Sequence, residues 1–180
     1  DRSRKNIQSF HGAATRFEIP AGLYQAIQSL SSSENSTLFT TLFAAFVALL
    51  HRYTGQDDIC VGSGFGNRNA RELEGSIGMF VNTLVLRTDT SGNPSFRDLL
   101  ERVRKVAFEA LAHQSMPFNH VVERLQPDRN LARNPLFQVA FSFHDAPRYS
   151  LNVPGLQIGV TEALNNGSAK FDINIIAIPK

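Results

Sequence analysis

The sequence predicts an α/β fold, a two-layer sandwich of a mixed sheet and helices, on three observations. Residues 96–111 repeat apolar side chains at the three-and-four spacing of one helix face. Short β-rich runs recur at 59–61, 80–87, 136–143, 156–160 and 171–178, separated by turn residues. With 180 residues and 42% hydrophobic content, the chain can close one packed core, which excludes intrinsic disorder.

Taken in order, residues 1–14 are polar and aperiodic, with Ile7 and Phe10 as their only large apolar side chains, and read as a linker or incoming arm. Residues 15–19 alternate polar and apolar with the two-residue period of a half-buried strand, which Pro20 closes while opening a helix over 21–31. A polar break at 31–36 offers several N-caps for a helix over 37–53. That helix is apolar on nearly every side, with Leu38, Leu42, Phe46 and Leu49 on one face, and is expected between layers.

A turn at 54–57 leads into Ile59-Cys60-Val61 and then Gly62-Ser63-Gly64-Phe65-Gly66. This glycine run lacks the Gly-Lys-Ser/Thr of a phosphate loop and the GxGxxG order of a dinucleotide fold. The glycines are therefore expected where backbone passes close to another surface. A strand over 80–87 carries Asn82 as its polar residue. After it, Pro94 suits the first helical position, and Ser95 with Asp98 forms a capping pair for the helix that follows.

Phe96, Leu99, Leu100, Val103, Val106, Ala107, Ala110 and Leu111 line that helix's inner face. A short helix at 119–125, a polar loop at 126–134 and a strand at 136–143 come next. Residues 147–154 read as irregular, and strands follow at 156–160 and 171–178. The stop at Lys180, directly after a strand, suggests a piece of something longer.

Composition removes several function classes. Eighteen Lys+Arg against sixteen Asp+Glu leave a net charge of +2, so there is no basic stripe for nucleic acid, although a pI near 8.9 keeps the surface mildly cationic. The longest apolar stretch, residues 38–50, falls short of the roughly 20 residues a membrane span needs. No apolar signal core follows Asp1-Arg2-Ser3-Arg4-Lys5, and cytoplasmic residence is the default. The lone Cys60, inside an apolar run, reads as a small buried thiol in a reducing compartment.

Catalytic and metal-binding patterns are scarce. His11, His51, His113, His120 and His144 are scattered, with no HExxH pair or Cys/His set, so no metal site is expected. Asp57 with Asp58, and Glu72 with Glu74, lie in polar segments and read as solvated loop charges. Gly62-Ser63-Gly64 lacks the spacing of a nucleophile elbow.

Specific segments carry more. His51-Arg52-Tyr53-Thr54-Gly55-Gln56-Asp57-Asp58 is followed by Gly62, Asn67-Arg68 and Glu72, then by Ile77-Gly78-Met79-Phe80-Val81-Asn82-Thr83-Leu84. His113-Gln114-Ser115-Met116-Pro117-Phe118 and Arg133-Asn134-Pro135-Leu136-Phe137-Gln138 come after, with Ala169-Lys170-Phe171-Asp172 near the end. In order and spacing these resemble the condensation domains of nonribosomal peptide synthetases, over nearly the whole chain.

The resemblance implies a chloramphenicol acetyltransferase-like lobe. Members of this family have two such lobes and carry the HHxxxDG signature in the first. No two histidines are adjacent in this chain. It therefore resembles the second lobe alone, residues 15–180, preceded by an inter-lobe linker at 1–14 and lacking the final helix. No catalytic residue is then expected here, and the isolated chain is expected to be inactive.

The family reaction joins two carrier-bound thioesters through attack of the acceptor amine on the donor carbonyl. The resemblance places Ser63, Arg68, Asn82 and Thr83 nearest the substrates. Arg68 and Glu72 instead form a loop-fixing salt bridge on the alternative reading. Asn134-Pro135 is expected to fix a turn and Arg133 to pin its loop, while residues 151–171 reach toward the partner lobe. The resemblance implies that the chain binds no cofactor itself and that the phosphopantetheine arms of partner carrier proteins enter its site. Implied partners are the first lobe, the upstream and downstream peptidyl carriers and an adjacent adenylation domain. A non-catalytic docking module of the same fold is the alternative.

Overall fold

A computed structural model describes residues 7–68, 71–73, 75–127, 133–144, 155–156 and 166–179. Helices α1 (Ala21–Ser33) and α2 (Leu38–Thr54) precede strand β1 (Asp58–Gly66). A 3-10 turn at Arg71–Leu73 leads to β2 (Val81–Asp89), α3 (Phe96–Ala112) and α4 (Phe118–Leu125). Strands β3 (Val139–Phe143) and β4 (Ile173–Ala177) complete the described elements.

The sheet order is β2-β1-β3-β4, with β1 antiparallel to β2, and β3 parallel to both β1 and β4. This is the expected mixed sheet. The helix layer covers one face of it: Phe43, Phe46, Val47 and Leu50 of α2 and Leu99, Leu100 and Val103 of α3 meet Ile59, Val61, Leu86 and Phe141. Burying one such side chain stabilises the fold by about 1.5–3 kcal/mol. Phe141 is ringed by aromatic neighbours, with centroids 5.6 Å from Phe43, 5.7 Å from Phe39 and 5.8 Å from Phe46.

Local chemistry sets the element ends. Thr37 caps α2 by accepting the Thr40 N–H at 3.1 Å, and Gly55, at φ 67°, closes it by donating to the His51 carbonyl. Ser95 and Asp98 form a full capping box at the start of α3. Pro94 consequently precedes the N-cap and is not the first helical residue.

Four expectations need correction. Residues 15–19 form no strand: alternation supplies a face but not a partner, and Phe17 stays 73% exposed. Helix α2 is not buried all round, since Ala45 and Leu49 face outward where neither the sheet nor α3 covers them. Strand β1 runs on through Gly66, because the antiparallel partner β2 holds the glycines in the ladder. Strand β3 starts only at Val139, because Leu136 has φ 67°, which a strand does not admit.

The expected strand at 156–160 falls mostly, and the irregular 147–154 wholly, outside the described residues; so does most of the 126–134 loop. The arm is tied down where it is described. Gly12 donates to the Gly167 carbonyl at 2.9 Å, Ala169 donates to the Phe10 carbonyl at 2.8 Å, and the Gln8 side chain donates to the Lys170 carbonyl. No single helix among the described residues is long and apolar enough to cross a membrane.

Candidate functional site

Apart from the first, at 51–58, the motif segments, far apart in sequence, are joined to one another by side-chain contacts. Asn82, near the start of β2, is where two of them meet. Its amide nitrogen donates to the Gln114 carbonyl at 2.8 Å and the Met116 carbonyl at 2.7 Å, and its oxygen accepts from the N–H groups of Phe118 at 3.1 Å and Thr83 at 3.0 Å. Two donors and two acceptor sites are all that a carboxamide has. Asn82 is therefore a clamp between β2 and the 114–118 segment, with no hydrogen-bonding capacity left over.

Phe118, the last residue of that segment, lies 5.7 Å from the ring of Phe137, and Phe137 lies 5.4 Å from Phe171. Phe137 in turn sits where a side chain on Gly62 would stand. The close backbone approach expected of the glycine run is thus located at Gly62, and its partner is a ring 75 residues away in sequence. Asn134 ties the same region to the segment before β4 by donating to the Lys170 carbonyl at 2.7 Å, and Gln138 donates back to the Asn134 carbonyl at 2.7 Å.

Arg68 shapes the loop between β1 and β2. Its Nη1 donates to the Leu73 carbonyl at 2.5 Å and the Ser76 carbonyl at 2.7 Å, and the guanidinium lies 4.1 Å from the centre of the Phe80 ring. There is no ion pair between Arg68 and Glu72; the loop's own carbonyls take the donors, and Glu72 is exposed. Arg133 is also exposed and is tied to no described residue by a hydrogen bond, so it does not pin its loop there. The Asn134-Pro135 turn is held by Asn134 itself and by the Phe137 N–H donating to the Pro135 carbonyl at 2.8 Å.

Ser63 is buried, 3% exposed, and donates to the Phe141 carbonyl at 2.7 Å. Thr83 pairs across the ladder with Gly64, is half-buried, and its hydroxyl makes no hydrogen bond among the described residues. Of the four residues placed nearest the substrates, Ser63, Arg68 and Asn82 thus spend polar groups on backbone carbonyls, and Thr83 keeps a free hydroxyl.

At the opposite end of the sheet, His51 Nδ1 lies 2.9 Å from the Gln56 carbonyl and 3.0 Å from the hydroxyl of buried Thr90, pinning the turn that its motif spells. Asp58 is exposed, as expected of a solvated charge, but it stands in β1 and not in a loop, and takes a two-pronged hydrogen bond from Arg87 across the ladder at 2.8 to 3.1 Å. That bond holds its carboxyl below the ordinary aspartate range. Burial, with the Asp58 charge second, pushes the Cys60 thiol up, which argues against a nucleophile. No group of three or more metal-ligating side chains occurs among the described residues.

Known proteins resemble this chain in sequence and in fold. The family model described as Condensation domain matches residues 1–180. One of the proteins that make up linear gramicidin synthase in Brevibacillus parabrevis is 45% identical over 179 residues, 99% of this chain but 4% of that protein. Among solved structures, the X-domain in complex with OxyB from teicoplanin biosynthesis superposes with a TM-score of 0.86 at 25% identity, covering all of this chain and 39% of that one. Holo-AB3403, a four-domain nonribosomal peptide synthetase bound to AMP and glycine, gives 0.79 at 25% identity over 81% of this chain and 11% of that one.

Proposed function

This chain belongs to the condensation-domain family, and from that premise we propose that it is the second lobe, over residues 15–180, of a domain that forms an amide bond between two carrier-bound thioesters. The observation that carries this reading is the interlocked motif set: Asn82 on the 114–118 backbone, Phe118 on Phe137, and Phe137 on Gly62 and Phe171. Such a lobe supplies a rigid wall on which long arms are held in near-attack geometry, and rigidity there is worth several orders of magnitude in rate.

The proton-handling histidine belongs to the first lobe. The phosphopantetheine arms of the upstream and downstream carriers bring in the substrates, and an adenylation domain loads the acceptor carrier. Within this lobe, Thr83 offers its hydroxyl to the channel, while Ser63, Arg68 and Asn82 position the strands and loop around it. Glu72, Arg133, Asn134 and Pro135 lie on the supporting segments.

The test combines this lobe with a separately made first lobe and two loaded carriers and follows the acceptor by intact-mass spectrometry. Condensed product requires both lobes. Product from this lobe alone would refute the assignment of the catalytic group to the first.

A second reading has its own support: one solved neighbour that covers the whole chain is an X-domain seen in complex with OxyB. Under that reading the lobe is part of a docking platform for a tailoring protein. It predicts no condensed product and saturable binding of such a partner.

A further inference from the structure

We propose that the backbone N–H of Gly64 is a main-chain donor to a carbonyl oxygen of the bound acyl-carrier arm, and that the Ser63 hydroxyl keeps it free. The proposal rests on the amide-forming reading above and deepens it by assigning a specific contact.

Strand register decides which way each backbone group points. The Asp57 carbonyl accepts from Thr90 N–H at 2.7 Å, and Asn67 N–H donates to the Phe80 carbonyl at 3.3 Å. Odd-numbered residues of β1 therefore turn their polar backbone groups toward β2, and even-numbered ones turn theirs toward β3. The parallel pairing of β1 with β3 consists of Val61 with Val139 and Gly62 with Ala140, and stops there. The next bond in that ladder would run from the Gly64 N–H to the Phe141 carbonyl. The carbonyl accepts instead from Ser63 Oγ at 2.7 Å. Strand β3 itself goes on, paired with β4 through Phe143, so the two strands part at Ser63.

Gly64, which carries the freed N–H, is an exposed residue. A Cβ built on Gly64 would meet only Val81 Cγ1, at 3.4 Å, and one on Gly66 would meet nothing within 4 Å, so an incoming chain finds room over this stretch. Directly across the ladder stands Thr83, with its unengaged hydroxyl. A lone N–H in an otherwise paired strand is a donor awaiting an acceptor. An acyl pantetheine chain carries carbonyls in its thioester and in its two amides, and an extended chain laid along a strand edge reads out through such main-chain bonds.

The test uses the full-length synthetase carrying this chain, with glycolic acid incorporated at position 64 so that the Ser63–Gly64 amide becomes an ester: the Gly64 N–H is lost, and the Ser63 carbonyl, which faces β2, becomes a weaker acceptor. The probes are an aminoacyl pantetheine thioester as acceptor and its thioether analogue, whose thioester carbonyl is a methylene. The expected result is a KM for the thioester raised about fivefold, the worth of one net main-chain hydrogen bond. Equal weakening of the thioether identifies an amide carbonyl of the arm as the acceptor, and an unchanged thioether identifies the thioester carbonyl. A change below twofold for both probes overturns the proposal.

If the unmodified synthetase forms no amide bond, the amide-forming reading fails, while thioether binding still reports on the Gly64 donor. Ser63→Ala gives an independent measurement. With the Phe141 carbonyl vacated, Gly64 N–H is expected to take it, so hydrogen exchange at Gly64 slows as KM rises. Loosened structure would speed that exchange, and faster exchange overturns the role given to Ser63.

Discussion

The ring of Phe137 occupies the space that a side chain at Gly62 would fill. One position in β1 is thus reserved for glycine by a residue on another motif, and the reservation couples the glycine run to the segment before β3. Gly62→Ala is expected to overpack this contact and cost about 1–3 kcal/mol. Combined with Phe137→Leu, which makes room, it should cost less than the sum of the two single changes. Urea denaturation of the four proteins of the cycle checks this; strict additivity would mean that ring and glycine are not in contact.

Asn82 gives a sharper expectation because its amide nitrogen faces two carbonyls. Asn82→Ala leaves those carbonyls and the Phe118 N–H to water or to nothing, at about 1–3 kcal/mol. Asn82→Asp keeps the acceptor but aims a carboxylate oxygen at the carbonyls of Gln114 and Met116. Its folded-state pKa should rise, so the variant binds a proton more readily folded than unfolded. Its deficit against the parent is then smaller at pH 5 than at pH 7. Parallel unfolding curves at the two pH values measure this, and an equal deficit at both would contradict the two-donor geometry.

Acid stability follows from three aspartates. Asp58 is lowered by its hydrogen bond from Arg87, Asp89 by bonds from Ser91 and Asp98 by bonds from Ser95. A carboxyl whose folded-state pKa lies below its unfolded value stabilises the fold above the unfolded value, 3.8 here, and loses that contribution as pH falls through the folded one. Melting temperature should therefore be flat above about pH 5 and fall below about pH 4. Arg87→Met should flatten part of that fall by removing the Asp58 contribution. The effect is modest, because the pair is solvent-exposed. An unaltered acid limb in that variant would show that Asp58 contributes nothing to it.

These sites show which parts of the fold and site were readable from sequence. The face of α3 and its capping box were legible because both are local: periodicity and a cap three residues away suffice to define them. Residues 15–19 misled for the complementary reason, since alternation describes a surface and a strand needs a partner. The motif positions are read directly from the sequence, but Asn82 and Gly62 take their structural meaning from contacts 32 to 75 residues downstream. Nor does any local pattern reveal that β1 and β3 part at Ser63. That parting is a property of two strands separated by 78 residues.

Arg68 is where positioning and substrate contact can be told apart. Its Nη1 holds the Leu73 and Ser76 carbonyls while the guanidinium lies over the ring of Phe80, so the side chain folds the loop after β1 back on itself. All these partners lie in one exposed loop, so Arg68→Ala should change the unfolding midpoint little, within about 0.5 kcal/mol. The same variant should be cut faster between β1 and β2 in limited proteolysis, and amide formation should fall with it. Arg68→Lys keeps the charge but loses the flat, forked donor and the stacking, and should rescue neither. Both variants are compared by single-turnover mass spectrometry and by the rate of loop cleavage. Lost product formation with wild-type resistance to cleavage would show that Arg68 acts on the substrate directly, and would overturn its assignment as the residue that holds this loop.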